Sequence, residues 1–362
     1  MLYRSFNIFV GLDVHKSSIS ASFLDHNKLI KSIRFPYSPD NIISFVQNHF
    51  PHKKIVFAYE AGPLGYSLYD TLSSAGFLCL IVAPAMIPSV PGKRVKTDRL
   101  DSLKLAETLR ANQLKSIHIP STPYRHLRHL IKSRDLFAKQ VISAKIRIRS
   151  ILLFENIPFP SLPQKSAYWS TLLIEELRSL ELPYPLRFRL DQAIDFLLFA
   201  QQQLKSAQKS ISTFSRHNPE IHRNTLFLTS IPGIGATITA HLLARVGDPS
   251  LLHNPRQLSA FLGLVPTERS SGQSIVKGHI SRVCGDRLIN KLIQGAWTAI
   301  RLDPELRDFY TRIYQRNPKQ FAAQKAIVAV ARKLTTRIYR VLKDQRPYVI
   351  HKETIHSPSE TR

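Results

Sequence analysis

Four acidic residues in the first 101 positions carry the clearest chemical signal of this 362-residue chain. Asp13 lies within a hydrophobic, strand-like run, and Glu60 ends a second run of the same kind. Asp98 and Asp101 begin a helix-like stretch. An acid inside an apolar strand is costly unless it has a partner. Carboxylates that converge from separate elements hold divalent cations against phosphate, so these residues predict a metal site for phosphoryl transfer.

Each acid also has a plainer interpretation. Asp98 could be the N-cap of its helix, and Asp101 would be favoured in the first turn by the helix dipole. Glu60 could begin an ordinary loop. Because Asp98 and Asp101 are three positions apart, they share one face of a helix. The occurrence of all four acids in this order favours the metal site over the separate interpretations.

An α/β fold is needed to bring these acids together, and residues 6–112 have the pattern of one. We predict strands at 7–14, 18–25, 28–35, 55–60 and 77–83, and helices at 39–49, 65–75 and 98–112. Three strands followed by helix, strand, helix, strand and helix is the order expected of a ribonuclease-H-like domain, which the pattern alone makes one candidate among several α/β folds. If the strands that carry Asp13 and Glu60 are neighbours, their carboxylates converge.

The rest of the chain is predicted to be mainly helical. Long helices at 124–156 and 188–216 have apolar seams at spacings of three and four, which is coiled-coil-like; in the first helix Arg134 interrupts the seam. These helices could form a hairpin within the chain or a zipper between protomers. Five prolines mark residues 157–186 as a connector. Residues 225–345 are predicted to be helical around a loop-rich centre at 263–285.

These patterns together predict the domain organisation. The predicted parts are an α/β RNase-H-like domain at 1–115, a long helical coiled-coil-like region at 116–220, a mainly α C-terminal domain at 221–345 and a polar tail at 346–362.

The charge predicts a polyanionic partner. The chain has 51 Lys and Arg against 25 Asp and Glu, a formal net charge of +26. Because the basic residues run through every segment, nucleic acid is favoured over a membrane surface, and its binding should weaken with salt. The longest apolar run is too short to span a bilayer, and two distant cysteines exclude a disulfide framework. We therefore expect a cytoplasmic protein without membrane segments.

Several motifs resemble those of DEDD-type insertion-sequence transposases. In the first half they are Gly11-Leu12-Asp13-Val14-His15-Lys16, Tyr59-Glu60-Ala61-Gly62 and Lys96-Thr97-Asp98-Arg99-Leu100-Asp101. In the second half they are Ile231-Pro232-Gly233-Ile234-Gly235, Phe261-Leu262-Gly263-Leu264-Val265-Pro266, Ser270-Ser271-Gly272 and Gly278-His279-Ile280-Ser281. The resemblance extends from residue 7 to about residue 340. Two departures are small: Ser102 replaces a usual Ala, and residues 282–286 only loosely match the family pattern.

The resemblance implies a recombinase that cleaves and exchanges DNA strands, with a RuvC-like metal-binding nuclease domain at 1–115 and a C-terminal transposase domain at 221–345. Asp13, Glu60, Asp98 and Asp101 would bind Mg²⁺ or Mn²⁺, and a C-terminal serine would form a phosphoserine link to DNA. We assign that role to Ser271, directly before Gly272, with Ser270 as the alternative nucleophile. The family also implies a homodimer or homotetramer, a bridge RNA that pairs with donor and target DNA, and a place in the prokaryotic cytoplasm at the nucleoid.

Other residues are candidates for phosphate contact. Basic residues beside the serine would neutralise charge on the phosphate. The turn at 231–235 looks like a helix-hairpin-helix phosphate site, with a plain helix start as the alternative. The histidines at 15, 241 and 279 have no ligand spacing and are interpreted as structural or phosphate-contacting. The predicted nucleic-acid contacts are Lys16, Arg147, Arg149, Gly233, Gly235, Arg269, Lys277 and Arg282.

Two other functions compete with the recombinase. A Holliday-junction-type endonuclease that uses metal and water would need the four acids but not the serine. An inactive remnant that only binds nucleic acid would need neither, and the intact acids and Ser-Ser-Gly segment argue against it.

Overall fold

The computed structural model describes residues 5–88, 97–160, 169–249, 252–271, 274–281 and 286–350. The chain divides into two compact units, Met1–Ile119 and Pro120–Arg362. Within the described ranges, every helix is too short or too polar to cross a membrane.

The first unit is a mixed five-stranded sheet with helices. Its elements are β1 (Ile8–Val14), β2 (Ser18–Leu24), β3 (Leu29–Pro36), α1 (Pro39–His49), β4 (Ile55–Glu60), α2 (Ser67–Ser74), β5 (Leu78–Val82) and α3 (Asp98–Arg110). The strand order is β3-β2-β1-β4-β5, with β1 antiparallel to β2 and parallel to β4. This arrangement is compatible with an RNase-H-like fold. The predicted strands and helices of this unit are all present, with ends that differ by two residues at most.

Strand β1 lies at the centre of the sheet and packs on both faces. Val10 and Leu12 belong to a core cluster with residues of α1 and α2, whereas Phe9 packs with residues of α3 on the other side. Such alternation is expected because successive strand residues point to opposite faces. A strand buried on both faces accounts for the nearly continuous apolar run of residues 8–12.

The second unit is mainly helical. Its elements are α4 (Thr122–Phe154), α5 (Thr171–Ser179), α6 (Tyr184–His217), α7 (Pro219–Thr229), α8 (Ala236–Val246), α9 (Pro255–Phe261), β6 (Pro266–Ser271), β7 (Ser274–Ile280), α10 (Asp286–Leu302), α11 (Pro304–Gln315) and α12 (Lys319–Asp344). Helices α4 and α6 pack on each other through a cluster that includes Ile148 and Ile194. The two long helices therefore pair within the chain.

Two segments of this unit differ from the sequence expectation. The proline-marked connector contains α5, which is capped by the Ser170 hydroxyl and buries Leu173 and Leu177 against the long helices. The loop-rich interpretation of the centre was wrong for β6 and β7, which form an antiparallel hairpin. Both elements depend on contacts with distant or facing segments, and a local pattern does not contain those contacts.

Candidate active site

The carboxyl ends of two neighbouring parallel strands carry the first two acids. In the register of β1 and β4, Leu12 lies opposite Tyr59. Asp13 and Glu60 are the next residues of these strands, so they lie side by side at one edge of the sheet. The strands that carry Asp13 and Glu60 are therefore neighbours, which was the condition for their carboxylates to converge.

Helix α3 supplies the other two acids. Its N-cap is Thr97, whose hydroxyl accepts a hydrogen bond from the Leu100 amide. The plainer interpretation of Asp98 as the N-cap is therefore wrong, because Thr97 fills that position. Asp98 and Asp101 both lie in the first turn of the helix, where the helix dipole favours negative charge.

Gly11 allows α3 to lie directly on β1. A Cβ atom built at Gly11 would be 2.1 Å from the Ser102 carbonyl oxygen and 2.4 Å from the Ala106 amide nitrogen. Both of these are backbone atoms, which cannot rotate away as a side chain can. The absence of a side chain at Gly11 thus sets the distance between α3 and the strand that carries Asp13.

Gly11→Ala is expected to lower the free energy of unfolding by about 1–3 kcal/mol, the usual cost of overpacking a filled core. The methyl group would push α3 away from β1. Gly62→Ala is the matched control, since a Cβ there meets only the Glu60 carbonyl oxygen, at 3.9 Å. Chemical denaturation of both variants measures the difference. Equal stability of the two variants would contradict the close packing of α3 on β1.

All four predicted acids line one cavity of about 460 Å³, together with His15 and Lys104. Oxygen or nitrogen atoms of Asp13, His15 and Asp98 lie within 4.8 Å of one another. The His15 Nε2 atom is 3.1 Å from Asp13 Oδ2 and 3.5 Å from Asp98 Oδ1. Glu60 and Asp101 lie on the wall of the same cavity, outside this tightest group.

The carboxylates of this cluster repel one another, and His15 partly offsets that repulsion. Burial raises the pKa of Asp13, and the nearby carboxylates of Asp98 and Asp101 raise it further, whereas His15 acts in the opposite direction. A cation among these groups would relieve the repulsion. Carboxylate oxygens, with one imidazole nitrogen beside them, are ligands suited to Mg²⁺ or Mn²⁺. The residues present therefore fit a divalent metal.

Sequence reasoning missed two members of this site. His15 was given no ligand role, although it stands two positions after Asp13, a spacing that could have indicated proximity. Arg34 on β3 places its Nη2 atom 3.8 Å from Asp98 Oδ2 and donates two hydrogen bonds to the Ser18 hydroxyl. Its place depends on the order of the strands, and no local motif signals it.

Ser102, which replaces the usual Ala of the family, has a hydrogen-bond partner in the sheet. The Ser102 side chain is fully buried, and its hydroxyl is 2.8 Å from that of Ser22 on β2. It also donates a hydrogen bond to the Arg99 carbonyl oxygen. A serine in place of the usual alanine thus adds a polar link between α3 and the sheet.

The predicted serine segment lies at the end of the β6–β7 hairpin in the second unit. Ser271 is the last residue of β6 and pairs with Ser274, and Ser270 pairs with Ile275. The basic positions Arg269 and Lys277 belong to the same two strands. Gly272 and Arg282 lie outside the described residues. His279 lies near the end of β7 and is exposed.

The glycines of the turn between α7 and α8 have different surroundings. Gly233 has a φ of +83°, and a Cβ there would be 2.1 Å from the Gly295 carbonyl oxygen, so conformation and packing both require glycine. Gly235 is the exposed N-cap of α8, with open space around its Cα. Gly235 is the more exposed of the pair and is therefore better placed for contact with a phosphate.

The remaining predicted contacts are exposed cations. Lys16 lies in the turn between β1 and β2, and Arg147 lies on α4. The Arg149 guanidinium is 5.3 Å from the centre of the Phe159 ring, which gives it a packing role as well. His241 is buried and contacts Asp135, consistent with a structural role.

Two family models match the chain. A model of DEDD transposases of IS110 matches residues 10–156, and a model described as the transposase IS116/IS110/IS902 family matches residues 226–311. Together they cover more than half of the sequence. The chain belongs to the IS110 family of transposases. The acidic cavity lies within the first matched region, and the β6–β7 hairpin lies within the second.

Curated relatives agree with this assignment. The putative transposase y4qE of Sinorhizobium fredii is 28% identical over 80% of this chain and 71% of its own length. The transposase for insertion sequence element IS1111A of Coxiella burnetii is 26% identical, over 77% and 75%. The pilin gene-inverting protein of Moraxella lacunata is 23% identical, over 94% and 97%. This transposase is therefore a DNA-processing enzyme of a family whose DEDD class implies use of a divalent metal.

Proposed function

We propose that this transposase cleaves and rejoins DNA through a serine ester, with Mg²⁺ or Mn²⁺ held by Asp13, Glu60, Asp98 and Asp101. The observation that carries the proposal is the single cavity lined by all four acids. They come from two strand ends and one helix turn, which is the convergence that a metal-dependent phosphoryl-transfer site requires. The cations, when bound, would neutralise charge on the attacking and leaving oxygens of the phosphate.

In this proposal the acidic side chains and Ser271 have different roles. The carboxylates would hold the metal, whose positive charge would act on the scissile phosphate. The Ser271 hydroxyl attacks phosphorus: a bond from Oγ to phosphorus forms as the bond from phosphorus to the leaving sugar oxygen breaks. The serine gives up its proton, and the leaving oxygen takes one up. Because the ester keeps the phosphate bond energy, the same step in reverse rejoins the strand to a new end.

Exposed cations would hold the nucleic acid. Lys16 directly follows His15, which lines the acidic cavity, and Arg147 lies on α4. With a net charge of +26, the chain can neutralise many phosphates. We propose that a homodimer or homotetramer binds both donor and target DNA in this way. A bridge RNA that pairs with both would leave the choice of sequence to base pairing.

This function is tested by reconstituting strand exchange from its components and omitting one component at a time. The complete mixture contains the protein, donor and target DNA, an RNA transcribed from the noncoding DNA that flanks the gene, and Mg²⁺. We expect exchanged strands in the complete mixture and none when the metal is omitted, because the acids then have no cation to hold.

The RNA is tested in the same assay by changing its target-pairing segment and the target DNA together. Exchange should be lost with either change alone and restored with both. Full exchange without RNA would contradict the guide, and full exchange in chelator would contradict the metal site.

A further inference from the structure

A pocket of about 360 Å³ lies among α4, α6, α7 and α8 in the second unit. Its wall is largely apolar, and Ile131, Ile211, Leu226, Ala236 and Ala240 contribute to it. Its volume is within the range of sites that hold small organic groups. The acids and the serine segment do not line it, so the proposed strand transfer does not account for it.

The polar groups of this pocket are basic or neutral. Arg216 on α6 and His222 on α7 line it, and none of its lining residues is acidic. Among the described residues, no carboxylate forms an ion pair with Arg216, whose Nε donates to the Ser212 carbonyl oxygen on its own helix. The first turn of α8, with Ala236 and Thr237, borders the same space and adds a partial positive charge. The pocket therefore combines apolar walls with an attraction for an anion.

A buried network fixes one wall of the pocket. Asp135 accepts hydrogen bonds from Arg134, at 2.8 Å, and from His241 Nε2, at 3.0 Å. Burial alone would raise the pKa of Asp135, but these two partners outweigh it and hold that pKa well below its usual value. Arg134, the residue that interrupts the apolar seam of α4, lines the pocket, and its Nε has no hydrogen-bond partner among the described residues. The network thus holds the Arg134 side chain in place at the wall of the pocket.

We propose that this pocket holds one unpaired nucleotide of the bound nucleic acid. The base would lie against the apolar wall, with a hydrogen-bonding edge towards Arg134, and its phosphate would lie beside Arg216 and the first turn of α8. A nucleotide suits the site because it joins a flat apolar face, a polar edge and an anion. Extruding a base costs least where it is already unpaired, as in a bulge or loop. The inference rests on nucleic-acid binding and needs neither the metal nor Ser271.

Two probes distinguish the sources of such a nucleotide. One is a DNA duplex with a single bulged 2-aminopurine, and the other is an RNA hairpin with 2-aminopurine in its loop. Fully paired versions of each serve as references. We expect the full-length protein to change the emission of an unpaired probe and not that of the paired one. The responding probe identifies the source as DNA or RNA.

Pocket variants and matched controls test the position. Ser212→Phe fills the pocket from an exposed lining position of α6, whereas Ser210→Phe places the same ring at an exposed position outside it. Arg216→Gln removes a charge from the pocket, and Arg223→Gln removes one from α7 outside it. The emission change should be lost in the two pocket variants and kept in the two controls. Arg216→Gln should also lower the salt dependence of binding by about one phosphate contact.

Three results would overturn the assignment: wild-type emission changes in both pocket variants, equal losses in variants and controls, or binding of the probes by anisotropy without any emission change in the wild-type protein. Thermal unfolding of each variant excludes a loss caused by misfolding. Ser271→Ala protein should give the full emission change, so failure of the strand-transfer chemistry is distinguishable from failure of the pocket.

Discussion

Asp13→Asn should reduce strand exchange by at least about 100-fold, the scale of losing one group that stabilises a transition state. Nucleic-acid binding should remain nearly unchanged, because the substitution removes a proposed metal ligand and leaves the basic residues that contact phosphate in place. Asp101→Asn should behave in the same way, since its carboxylate lines the same cavity. The measurements are strand exchange in Mg²⁺ and binding by anisotropy.

Metal binding gives this prediction a readout other than activity. Since the pKa of Asp13 is raised in the folded protein, its charged form destabilises the metal-free fold at neutral pH. Without metal, the Asn variant should therefore unfold at the same temperature as wild type or higher. Mg²⁺ should raise the unfolding temperature of wild type, because a ligand that binds only the folded state stabilises it, and should raise that of the variant less.

Asp40→Asn is the matched control. It removes the same charge from the first turn of α1, at an exposed position that does not line the cavity. This control should keep both strand exchange and the response to Mg²⁺. Undiminished exchange by Asp13→Asn in Mg²⁺ would refute the proposed metal site.

Ser271→Ala should abolish the covalent link between protein and DNA. If Ser271 is the nucleophile, cleavage passes through an ester, and a substrate nicked beyond the scissile phosphate cannot be rejoined. The ester should therefore accumulate as a slowly migrating, protease-sensitive species on a denaturing gel. The acid variants should also lack it, because an unassisted serine hydroxyl attacks phosphate poorly.

Ser270→Ala is the informative companion to this variant, and it should keep the adduct. An adduct that persists in Ser271→Ala and disappears in Ser270→Ala would move the assignment by one residue. Cleaved DNA without any adduct in wild type would instead favour the endonuclease that uses water.

The sequence predicted the first unit closely because its signals are local. Each strand is an apolar, β-branched or aromatic run bounded by turn residues, and α3 begins at a Thr-Asp pair of the kind that starts helices. The convergence of Asp13 and Glu60 could be stated only as a condition, because strand order depends on contacts across the sheet. Once β1 and β4 are neighbours, the positions of both acids follow.

Other features could not be predicted from local sequence patterns, because they depend on contacts between distant segments. The β6–β7 hairpin is polar and rich in serine, which is typical of a loop, and only the pairing of its two strands makes it a sheet. Arg34 reaches Asp98 because three strands lie side by side. The role of Arg134 was also hidden, because its partner Asp135 is held in turn by His241, which lies 106 positions further along the chain.

The contact at Gly11 divides the acidic site into halves that differ in tolerance to sequence drift. Asp13 and Glu60 are fixed by the hydrogen-bonded ladder between β1 and β4, which depends little on which side chains surround it. Asp98 and Asp101 are fixed by the packing of α3 on the sheet, which is closest at a strand position that has no side chain. A copy of this gene that accumulates random mutations would therefore lose the helix half of the acidic site first, while its sheet still folded.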